Sequence, residues 1–402
     1  MGIEELLRNT RRVRRPTRGL SGVLSVAVMT RPFPCPHGRC IYCPGGPDRG
    51  TPQSYIGREP ALMRAMHVGY DPYEQVRLRI AQYEAMGYEV SKIEVVVMGG
   101  TFLAAPPDYQ EKFITSIYLA ASRYPGLKPS ATPPLEEAQL ENETARVRVV
   151  GLTIETRPDW SREKHVDLML RYGATRVELG VQSIYDDVLK RVRRGHSARD
   201  VVEATRILKD AGYKVVYHIM PGLPGSDPDR DIAMVRELFE NPDFRPDMLK
   251  IYPTLVVEGT ELYAMWRRGE YRPLSDEEAV ELISEFYRYI PKWVRVIKIQ
   301  RDIPAQLIAA GPRKGNLREL VERRALEKGI EIRELRYREV GRQKLFRGVE
   351  PRKIIITREY YEASRGTEVF LAAEDPSANT VVGILRLRIP SEHAHRPDIA
   401  TK

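Results

Sequence analysis

The chain has 402 residues, of which 42% are apolar, and its 64 Lys and Arg exceed its 55 Asp and Glu. This length provides for two to three average domains or one large α/β barrel, and the composition excludes a disordered or fibrous protein. No apolar run approaches the roughly 18 residues that a membrane span needs, and the N-terminus lacks the apolar segment of a secretion signal. We therefore expect a cytoplasmic protein that does not enter a membrane.

The formal net charge of +9 is concentrated in two basic blocks. Residues 1–18 carry six Arg against two Glu, and residues 291–353 carry eighteen Lys and Arg against eight acids. Such blocks attract polyanions through the release of counterions, which predicts RNA or DNA as a partner. A solvated surface rich in Arg and Glu, as in thermophiles, would have the same composition.

From residue 22 onward, β-branched runs alternate with helical patterns. Six runs predict strands, at Val23–Met29, Ile93–Met98, Val147–Ile154, Arg176–Gly180, Lys214–Met220 and Met248–Tyr252. Helical patterns lie between them; one opens with Asp71 as N-cap and Pro72 at the first helical position. A short additional helix is predicted within residues 125–146. The order predicts an α/β fold with a parallel sheet, either doubly wound or an incomplete barrel, with ligands at the carboxyl ends of the strands.

The three cysteines of the chain lie within nine residues, at Cys35, Cys40 and Cys43. An odd number in one cluster, without a secretion signal, favours a metal site over disulfides. Zinc would need His37 as a fourth ligand in a very tight loop. A 4Fe–4S cluster held by three Cys leaves one iron open for a substrate or cofactor, and the rigid Pro- and Gly-rich flanks favour this interpretation. Tyr42 would bring an aromatic ring beside the cluster, where an adenine could rest.

The pattern changes after Pro291. WVRVIKIQ predicts a basic strand and GNLRELVERRALEKG a helix, and we place a boundary near Lys353. The remaining residues predict two or three strands with a PSAN turn between them. Because so small a sheet is marginally stable by itself, we expect it to pack on the main body or to belong to something larger.

The segment CPHGRCIYCPGGP, together with VVVMGGTF, GLTIETRPDW, TRVELGVQSIYDDVLKRVRRGH and IQRDIPAQLIAAG, resembles the catalytic subunit of the Elongator complex and its archaeal and bacterial relatives. The resemblance runs from about Thr17 to Arg388. It implies a radical S-adenosylmethionine (SAM) enzyme that carboxymethylates the wobble uridine of tRNA. The implied fold is an incomplete (β/α)6 radical SAM barrel with a basic α/β extension and a partial C-terminal acetyltransferase-like β segment.

The resemblance also implies the cofactors and partners. These are a 4Fe–4S cluster with three Cys ligands and an open iron for SAM, SAM itself, acetyl-coenzyme A (acetyl-CoA) as co-substrate, the anticodon loop of tRNA, and an electron donor. The implied division of the chain is a basic N-terminal arm at 1–20, a radical SAM core at 21–290, a basic tRNA-binding extension at 291–353 and a partial acetyltransferase domain of the GNAT type at 354–402.

Residues near the strand ends receive roles from the same resemblance. Lys92 would contact acetyl-CoA, Glu155 would lie near the sugar hydroxyls of SAM, and Arg157 would pair with the methionine carboxylate; these are the catalytic candidates. The metal ligands are the three cysteines, and the cofactor-binding candidates are Tyr42, Gly99, Gly100, Thr101, Gln182, Ser183, His218 and Met220. Without the resemblance, the glycines would form a plain turn, Lys92 would be a solvated strand-edge lysine, and His218 a core histidine with its hydrogen bonds satisfied.

The basic blocks become candidate contacts to tRNA phosphates. The first block contributes Arg11, Arg12, Arg14, Arg15 and Arg18. The second contributes Lys298, Arg301, Lys314, Arg318, Arg336, Arg338, Arg342, Lys344 and Arg347.

Two departures from the family matter. Many relatives have additional cysteines in the segment corresponding to IEIRELRYREVG, where they help to form a zinc site; this segment has none, so we predict no zinc. The family also continues into a complete acetyltransferase domain with a Gly-rich loop for coenzyme A, and no such loop follows Lys353. The chain would then be a truncated product, the missing half a separate acetyltransferase polypeptide, or acetyl transfer lost. The alternative functions are a form that only binds tRNA and SAM, and a radical SAM enzyme with another RNA substrate.

Overall fold

The structure is a computed structural model that describes residue 15 and residues 17–400. These residues form two units. The first comprises the described residues up to 36 together with 45–156 and 167–176, and the second comprises 37–44, 157–166 and the residues from 177 onward. Among the described residues, no helix is long and apolar enough to cross a membrane.

Three parallel strands form the centre of the first unit. They are β1 (Leu24–Met29), β2 (Lys92–Met98) and β3 (Arg148–Thr156), hydrogen-bonded in the order β1-β2-β3. Val26 lies opposite Val95, which lies opposite Leu152, and all three side chains are buried. Apolar residues at every second position therefore bury one face of each strand, as the sequence pattern predicts.

The helices of the first unit follow the predicted order. They are α1 (Pro60–His67), α2 (Pro72–Ala85), α3 (Pro107–Ser122) and α4 (Leu135–Glu143). Helix α2 begins as predicted, because Asp71 Oδ1 accepts a hydrogen bond from the backbone N–H of Glu74 at 3.1 Å and Pro72 takes the first helical position. Helix α4 is the short additional helix expected within residues 125–146.

The second unit continues the alternation of strands and helices. Its main strands are β4 (Arg176–Gln182), β5 (Lys214–Ile219), β6 (Met248–Ile251) and β8 (Arg295–Ile299), in the order β4-β5-β6-β8, and the pairs β5–β6 and β6–β8 are parallel. The short strands β7 (Val256–Val257) and β9 (Ile308–Ala310) pair antiparallel. All six strands predicted before residue 253 are confirmed, with each end within two residues of the prediction.

The helices from residue 163 onward surround these strands in the chain order. They are α5 (Glu163–Arg171), α6 (Asp186–Arg191), α7 (Ala198–Asp210), α8 (Pro228–Glu240), α9 (Glu261–Arg267), α10 (Asp276–Phe286), α11 (Leu317–Glu327), α12 (Leu335–Arg338), α13 (Val340–Arg347) and α14 (Pro397–Ala400). The predicted basic strand after Pro291 is β8, and the helix predicted after it is α11.

The last strands form an antiparallel sheet of their own within the second unit. They are β10 (Ile355–Ala363), β11 (Gly366–Asp375) and β12 (Thr380–Ile389), in that order. Tyr361 on β10 stacks on Trp293, with the ring centroids 4.0 Å apart. This sheet therefore packs on the body of the unit, which confirms one of the two arrangements expected from its size.

Buried ion pairs join the same sheet to helix α7 and strand β6. Lys209 Nζ lies 3.2 Å from Asp247 Oδ1 and 3.3 Å from Glu368 Oε1. Arg388 binds Asp210 at 2.6 Å and Glu368 at 2.9 Å. All five side chains are less than 10% exposed. Because charges are buried only when they are paired, these contacts make the sheet an integral part of the unit.

Candidate functional site

A glycine turn ends strand β2 in the first unit. Gly99 and Gly100 have φ angles of +139° and +94°, which favour glycine. A Cβ on Gly99 would lie 2.0 Å from Thr30 Oγ1, and a Cβ on Gly100 would lie 3.6 Å from Cys35 Sγ. Only glycine fits at Gly99, and the turn brings its backbone beside Cys35.

Cys35 is half-buried next to this turn. Its sulfur lies 3.5 Å from Thr101 Oγ1, and its backbone N–H donates a hydrogen bond to Gln53 Oε1. Glu155, at the end of β3, accepts a hydrogen bond from the hydroxyl of Tyr55 at 3.1 Å. Within the first unit, the structure thus brings together the predicted Gly-Gly-Thr turn and the first cysteine.

Cys40 and Cys43 are buried in the second unit. The backbone N–H of Ile41 donates to the carbonyl of Val192 at 3.2 Å, and the carbonyl of Ile41 accepts from Leu262 N–H at 2.9 Å. These bonds fix the loop between the two cysteines against helices α6 and α9. None of the three described cysteines forms a disulfide, so their thiolates can serve as metal ligands.

Tyr42 lies between these two cysteines and is also buried. Burial, and then the charge of the Cys40 sulfur, raise the pKa of the Tyr42 hydroxyl well above its ordinary value. The residue therefore remains a neutral aromatic group. Its neighbours Met220 and Leu223 belong to the same apolar cluster, which suits the predicted contact with an adenine.

The sulfur of Cys40 has two polar neighbours. His37 Nε2 lies 3.2 Å from it, and Arg194 Nη1 lies 3.7 Å from it. Burial, with the positive charges of Arg157 and Arg194, lowers the pKa of His37 to about 3, so its ring is neutral at physiological pH. Sequence reasoning noted His37 only as a zinc ligand and did not identify Arg194.

The ends of β4 and β5 also meet. The backbone N–H of Met220 donates to the carbonyl of Gln182 at 2.9 Å, and Ser183 N–H donates to Val181 at 2.9 Å. Gln182 has a φ of +69°, which turns the chain sharply at the end of β4. The predicted residues Gln182, Ser183 and Met220 are therefore grouped at one edge of the sheet.

His218 shares a buried carboxylate with a lysine. Its Nε2 lies 2.8 Å from Glu178 Oε2, and Lys250 Nζ donates to the same oxygen. Burial opposes ionisation of Glu178, but Lys250 and His218 hold its pKa well below the ordinary value. Sequence reasoning missed Glu178 and Lys250, although a Glu in the centre of the apolar run VELGV is a signal in itself.

Arg157 is buried and engaged within the second unit. Its Nε and Nη2 donate to Asp159 at 2.9 and 3.1 Å, and its Nη1 donates to the carbonyl of Arg194 at 2.9 Å. Burial, followed by the charge of Arg194, lowers its pKa. Its pairing with a methionine carboxylate stays a prediction; the structure shows that it braces the Arg194 segment.

Comparison with known proteins identifies the family. The Radical SAM superfamily model matches residues 32–238, and the Radical SAM C-terminal domain model matches residues 246–327. The tRNA uridine(34) acetyltransferase of Methanocaldococcus infernus is 52% identical over 382 residues, which are 94% of this chain and 70% of that protein. The chain belongs to the Elongator complex protein 3 family of radical SAM proteins.

Other members of the Elongator complex protein 3 family agree with this assignment. The Schizosaccharomyces pombe protein is 44% identical over 407 residues, covering 99% of this chain and 73% of its own length. A solved structure of the Methanocaldococcus infernus protein, with an N-terminal deletion, has a TM-score of 0.81 and 47% identity over 94% of this chain and 80% of that one. These matches confirm the α/β radical SAM fold that the sequence predicts.

Membership of the radical SAM superfamily implies a 4Fe–4S cluster and SAM. The residues of this chain fit that pair of groups. Three thiols are available without a disulfide, and Cys40 has N–H donors within reach of its sulfur. A cluster thiolate commonly accepts such hydrogen bonds.

One catalytic candidate of this radical SAM chain lies away from the turn that follows its strand. Lys92 is the exposed first residue of β2, whereas the glycine turn follows Met98 at the other end. At about 3.3 Å per residue, these points are about 20 Å apart. Lys92 therefore does not touch the same atoms as the Gly99 backbone, and its contact with acetyl-CoA stays a prediction.

Two of the expected tRNA contacts in this Elongator-family chain are wrong for a simple reason. Arg338 is 5% exposed and pairs with buried Glu374. Arg318 is 13% exposed and lies between Glu322, at 3.3 Å, and Glu334, at 3.7 Å. Both guanidinium groups stabilise the interior and do not reach a phosphate.

The other basic candidates differ in exposure. Arg11, Arg12 and Arg14 lie outside the described residues, and Arg15 is exposed. The following are half-buried: Arg18, Lys298, Arg301, Arg336 and Arg342. Lys314, Lys344 and Arg347 are exposed, although Lys314 and Lys344 each pair with a surface glutamate. Their contact with tRNA stays a prediction.

Proposed function

We propose that the protein is a radical SAM acyltransferase that uses acetyl-CoA to place a carboxymethyl group on carbon 5 of the wobble uridine of tRNA. The observation that carries the proposal is the 52% identity, over 94% of the chain, to a protein named tRNA uridine(34) acetyltransferase. The three-cysteine loop supports it, because the spacing suits a cluster with one open iron.

The residues of the chain then divide the work. Cys35, Cys40 and Cys43 hold the cluster, and the Gly99–Thr101 turn offers backbone groups to the methionine end of SAM. When bound, the cluster and SAM supply a radical that takes hydrogen from the acetyl methyl group, and later hydrolysis leaves the carboxymethyl product. Glu155 binds the ribose hydroxyls. The adenine is placed by Tyr42, Gln182, Ser183 and Met220.

His218 completes this set with a fixed orientation. Glu178 accepts at 2.8 Å from Nε2, so the ring cannot turn without losing a buried hydrogen bond. Nδ1 is the nitrogen left for a ligand. Lys250 keeps Glu178 ionised and so keeps the proton of His218 on Nε2.

The substrates approach from different parts of the chain. Lys92, exposed at the amino end of β2, would bind a remote part of coenzyme A rather than the reacting acetyl group. The tRNA would be held by the exposed members of the two basic blocks, with Arg15 and Lys344 as examples. An electron donor must reduce the cluster, and the cytoplasm is where tRNA and such donors occur together.

The C-terminal sheet supports a relationship to the acetyltransferase part of the family. Strand β12 is an edge strand, and Leu385, Leu387 and Ile389 on it are each more than half exposed. Apolar side chains on an open edge favour the addition of further strands. A separate acetyltransferase polypeptide could supply them.

The experiment is anaerobic reconstitution with iron and sulfide. We expect cluster absorbance, dithionite-dependent 5′-deoxyadenosine and, with acetyl-CoA, carboxymethyluridine in tRNA digests measured by mass spectrometry. Cys40→Ala should lose all three signals. A variant that reconstitutes and cleaves SAM normally would contradict the proposal. So would wild-type protein that binds tRNA with a steep salt dependence but forms no modified uridine.

A further inference from the structure

The segment Arg193–His196 follows helix α6 and places a guanidinium group against the second cysteine. Arg193 and Gly195 both have positive φ, +55° and +77°, so the chain reverses sharply on either side of Arg194. The Arg194 N–H closes this turn on Leu189 O at 2.8 Å. Arg194 is buried, and its direction is therefore set by the backbone rather than by solvent.

The guanidinium of Arg194 is held from two sides. Its Nε and Nη2 both donate to the carbonyl of Gly180 in β4, at 3.1 and 2.6 Å. Its own carbonyl accepts from Arg157 Nη1, and Arg157 is in turn fixed by Asp159. With two of its nitrogens bound to β4, the third, Nη1, faces Cys40 Sγ at 3.7 Å.

His37 approaches the same sulfur along a second direction. Its Nε2 lies 3.2 Å from Cys40 Sγ, whereas its Nδ1 is buried with no hydrogen-bond partner among the described residues. A thiolate only accepts hydrogen bonds, so the proton of the neutral ring belongs on Nε2. A Cβ on Gly195 would lie 2.6 Å from the Cβ of His37, so only glycine allows the two segments this close.

We propose that Arg194 and His37 donate hydrogen bonds to the Cys40 thiolate and raise the reduction potential of the cluster that this thiolate ligates. Reduction adds a negative charge to the cluster. A cation and two N–H donors at one ligand stabilise the reduced form more than the oxidised form. Arg157 acts through Arg194 as a positioning residue. This inference rests on the proposed cluster and goes beyond it, because it assigns the residues that set the cluster potential.

The test is a potentiometric titration of the reconstituted protein, followed by electron paramagnetic resonance without SAM, acetyl-CoA or tRNA. Arg194→Gln keeps a donor but removes the charge, and it should shift the midpoint to a more negative potential. Arg194→Lys keeps the charge and should shift it less. The matched control is Arg193→Gln, whose exposed side chain pairs with Glu261, and it should titrate as wild type.

A second measurement needs no substitution. In wild-type protein labelled with 15N-arginine, pulsed electron paramagnetic resonance of the reduced cluster should show a weak coupling to a guanidinium nitrogen. An Arg194→Gln protein with a full cluster and an unchanged midpoint would overturn the inference, and so would the absence of that coupling. A wild-type protein that assembles no cluster would overturn the proposed function together with the inference. A cluster without any uridine product would count against the function alone.

Discussion

Glu178 Oε2 accepts hydrogen bonds from His218 Nε2, at 2.8 Å, and from Lys250 Nζ. The strands that carry these residues lie in the order β4-β5-β6, so one carboxylate serves both neighbours along the sheet. The two charged side chains, those of Glu178 and Lys250, are 1% and 9% exposed. A charge pair at this depth is stable only while both partners are present.

Replacing Glu178 with Gln should therefore destabilise the protein strongly. The amide cannot neutralise Lys250, which would remain buried and unpaired, at a cost of about 3–5 kcal/mol in the free energy of unfolding. Chemical denaturation measures this. Glu240→Gln is the matched control, because its pair with Arg236 is 59% exposed on both sides and contributes about 0–1 kcal/mol. Equal losses in the two variants would show that the buried pair has no special weight.

The buried carboxyl of Asp231 should make stability fall with rising pH. It accepts from Gly222 N–H at 2.7 Å and from the Ser226 hydroxyl at 2.6 Å, and burial raises its pKa to about 6. Because this exceeds the unfolded value of about 3.9, its contribution is fully present below pH ~4 and is lost as the pH rises through about 6.

Asp231→Asn tests this relationship, since the amide does not titrate. The free energy of unfolding of wild type, relative to the variant, should decrease by about 2–3 kcal/mol between pH ~4 and ~7.5. Asp229→Asn, exposed on the same helix, should give a profile parallel to wild type. Parallel curves for wild type and Asp231→Asn would refute the prediction.

Gly195→Ala should cost more than an ordinary glycine substitution. Its φ of +77° already disfavours a side chain by about 1–2 kcal/mol, and the new methyl group would lie 2.6 Å from His37 Cβ. Gly212→Ala is the matched control, with a φ of +81° and no atom within 4 Å of the added Cβ. Thermal unfolding of the two variants should differ by a further 1–3 kcal/mol or so. The prediction fails if both lose the same amount.

Lys209→Met should loosen the C-terminal sheet. The change leaves Asp247 and Glu368 buried without their shared cation, which costs about 3–5 kcal/mol. Hydrogen exchange should become faster in β11 in particular. Lys214→Met, at the exposed start of β5, should change stability by no more than about 0.5 kcal/mol. Unchanged exchange in β11 would show that Lys209 does not hold the sheet.

Lys344→Gln should weaken tRNA binding without a loss of stability. Removing one phosphate contact lowers the slope of log affinity against log salt by about 1. Filter binding at several salt concentrations measures the slope, and Lys164→Gln, exposed outside both basic blocks, should leave it unchanged. If both variants bind as wild type does, Lys344 is not part of the tRNA surface.

The sequence predicts the elements well because their signals are local. Apolar alternation in Lys92–Met98, the capping pair Asp71 and Pro72, and the spacing of the cysteines each lie within a few residues of one another. The partners of buried charges are not local. Nothing near Arg338 indicates that Glu374 neutralises it, so a residue of the basic block was expected on the surface.

The same limit explains what was missed at the site. Arg194 is one of several arginines in KRVRRGH, and only the reversal at Gly195 turns this one toward Cys40. Glu178 interrupts an apolar strand, but its partner Lys250 is 72 residues away. Three-dimensional contacts decide which charge is structural and which is available for chemistry.

The stack of Tyr361 on Trp293, with the buried network around Lys209, means that residues 354–402 are no dispensable appendage. A protein shortened after Lys353 would expose an indole ring and a set of matched charges to water. The last three strands should consequently melt together with the second unit, in one cooperative transition, and any shortened form would have to replace that covering before it could fold.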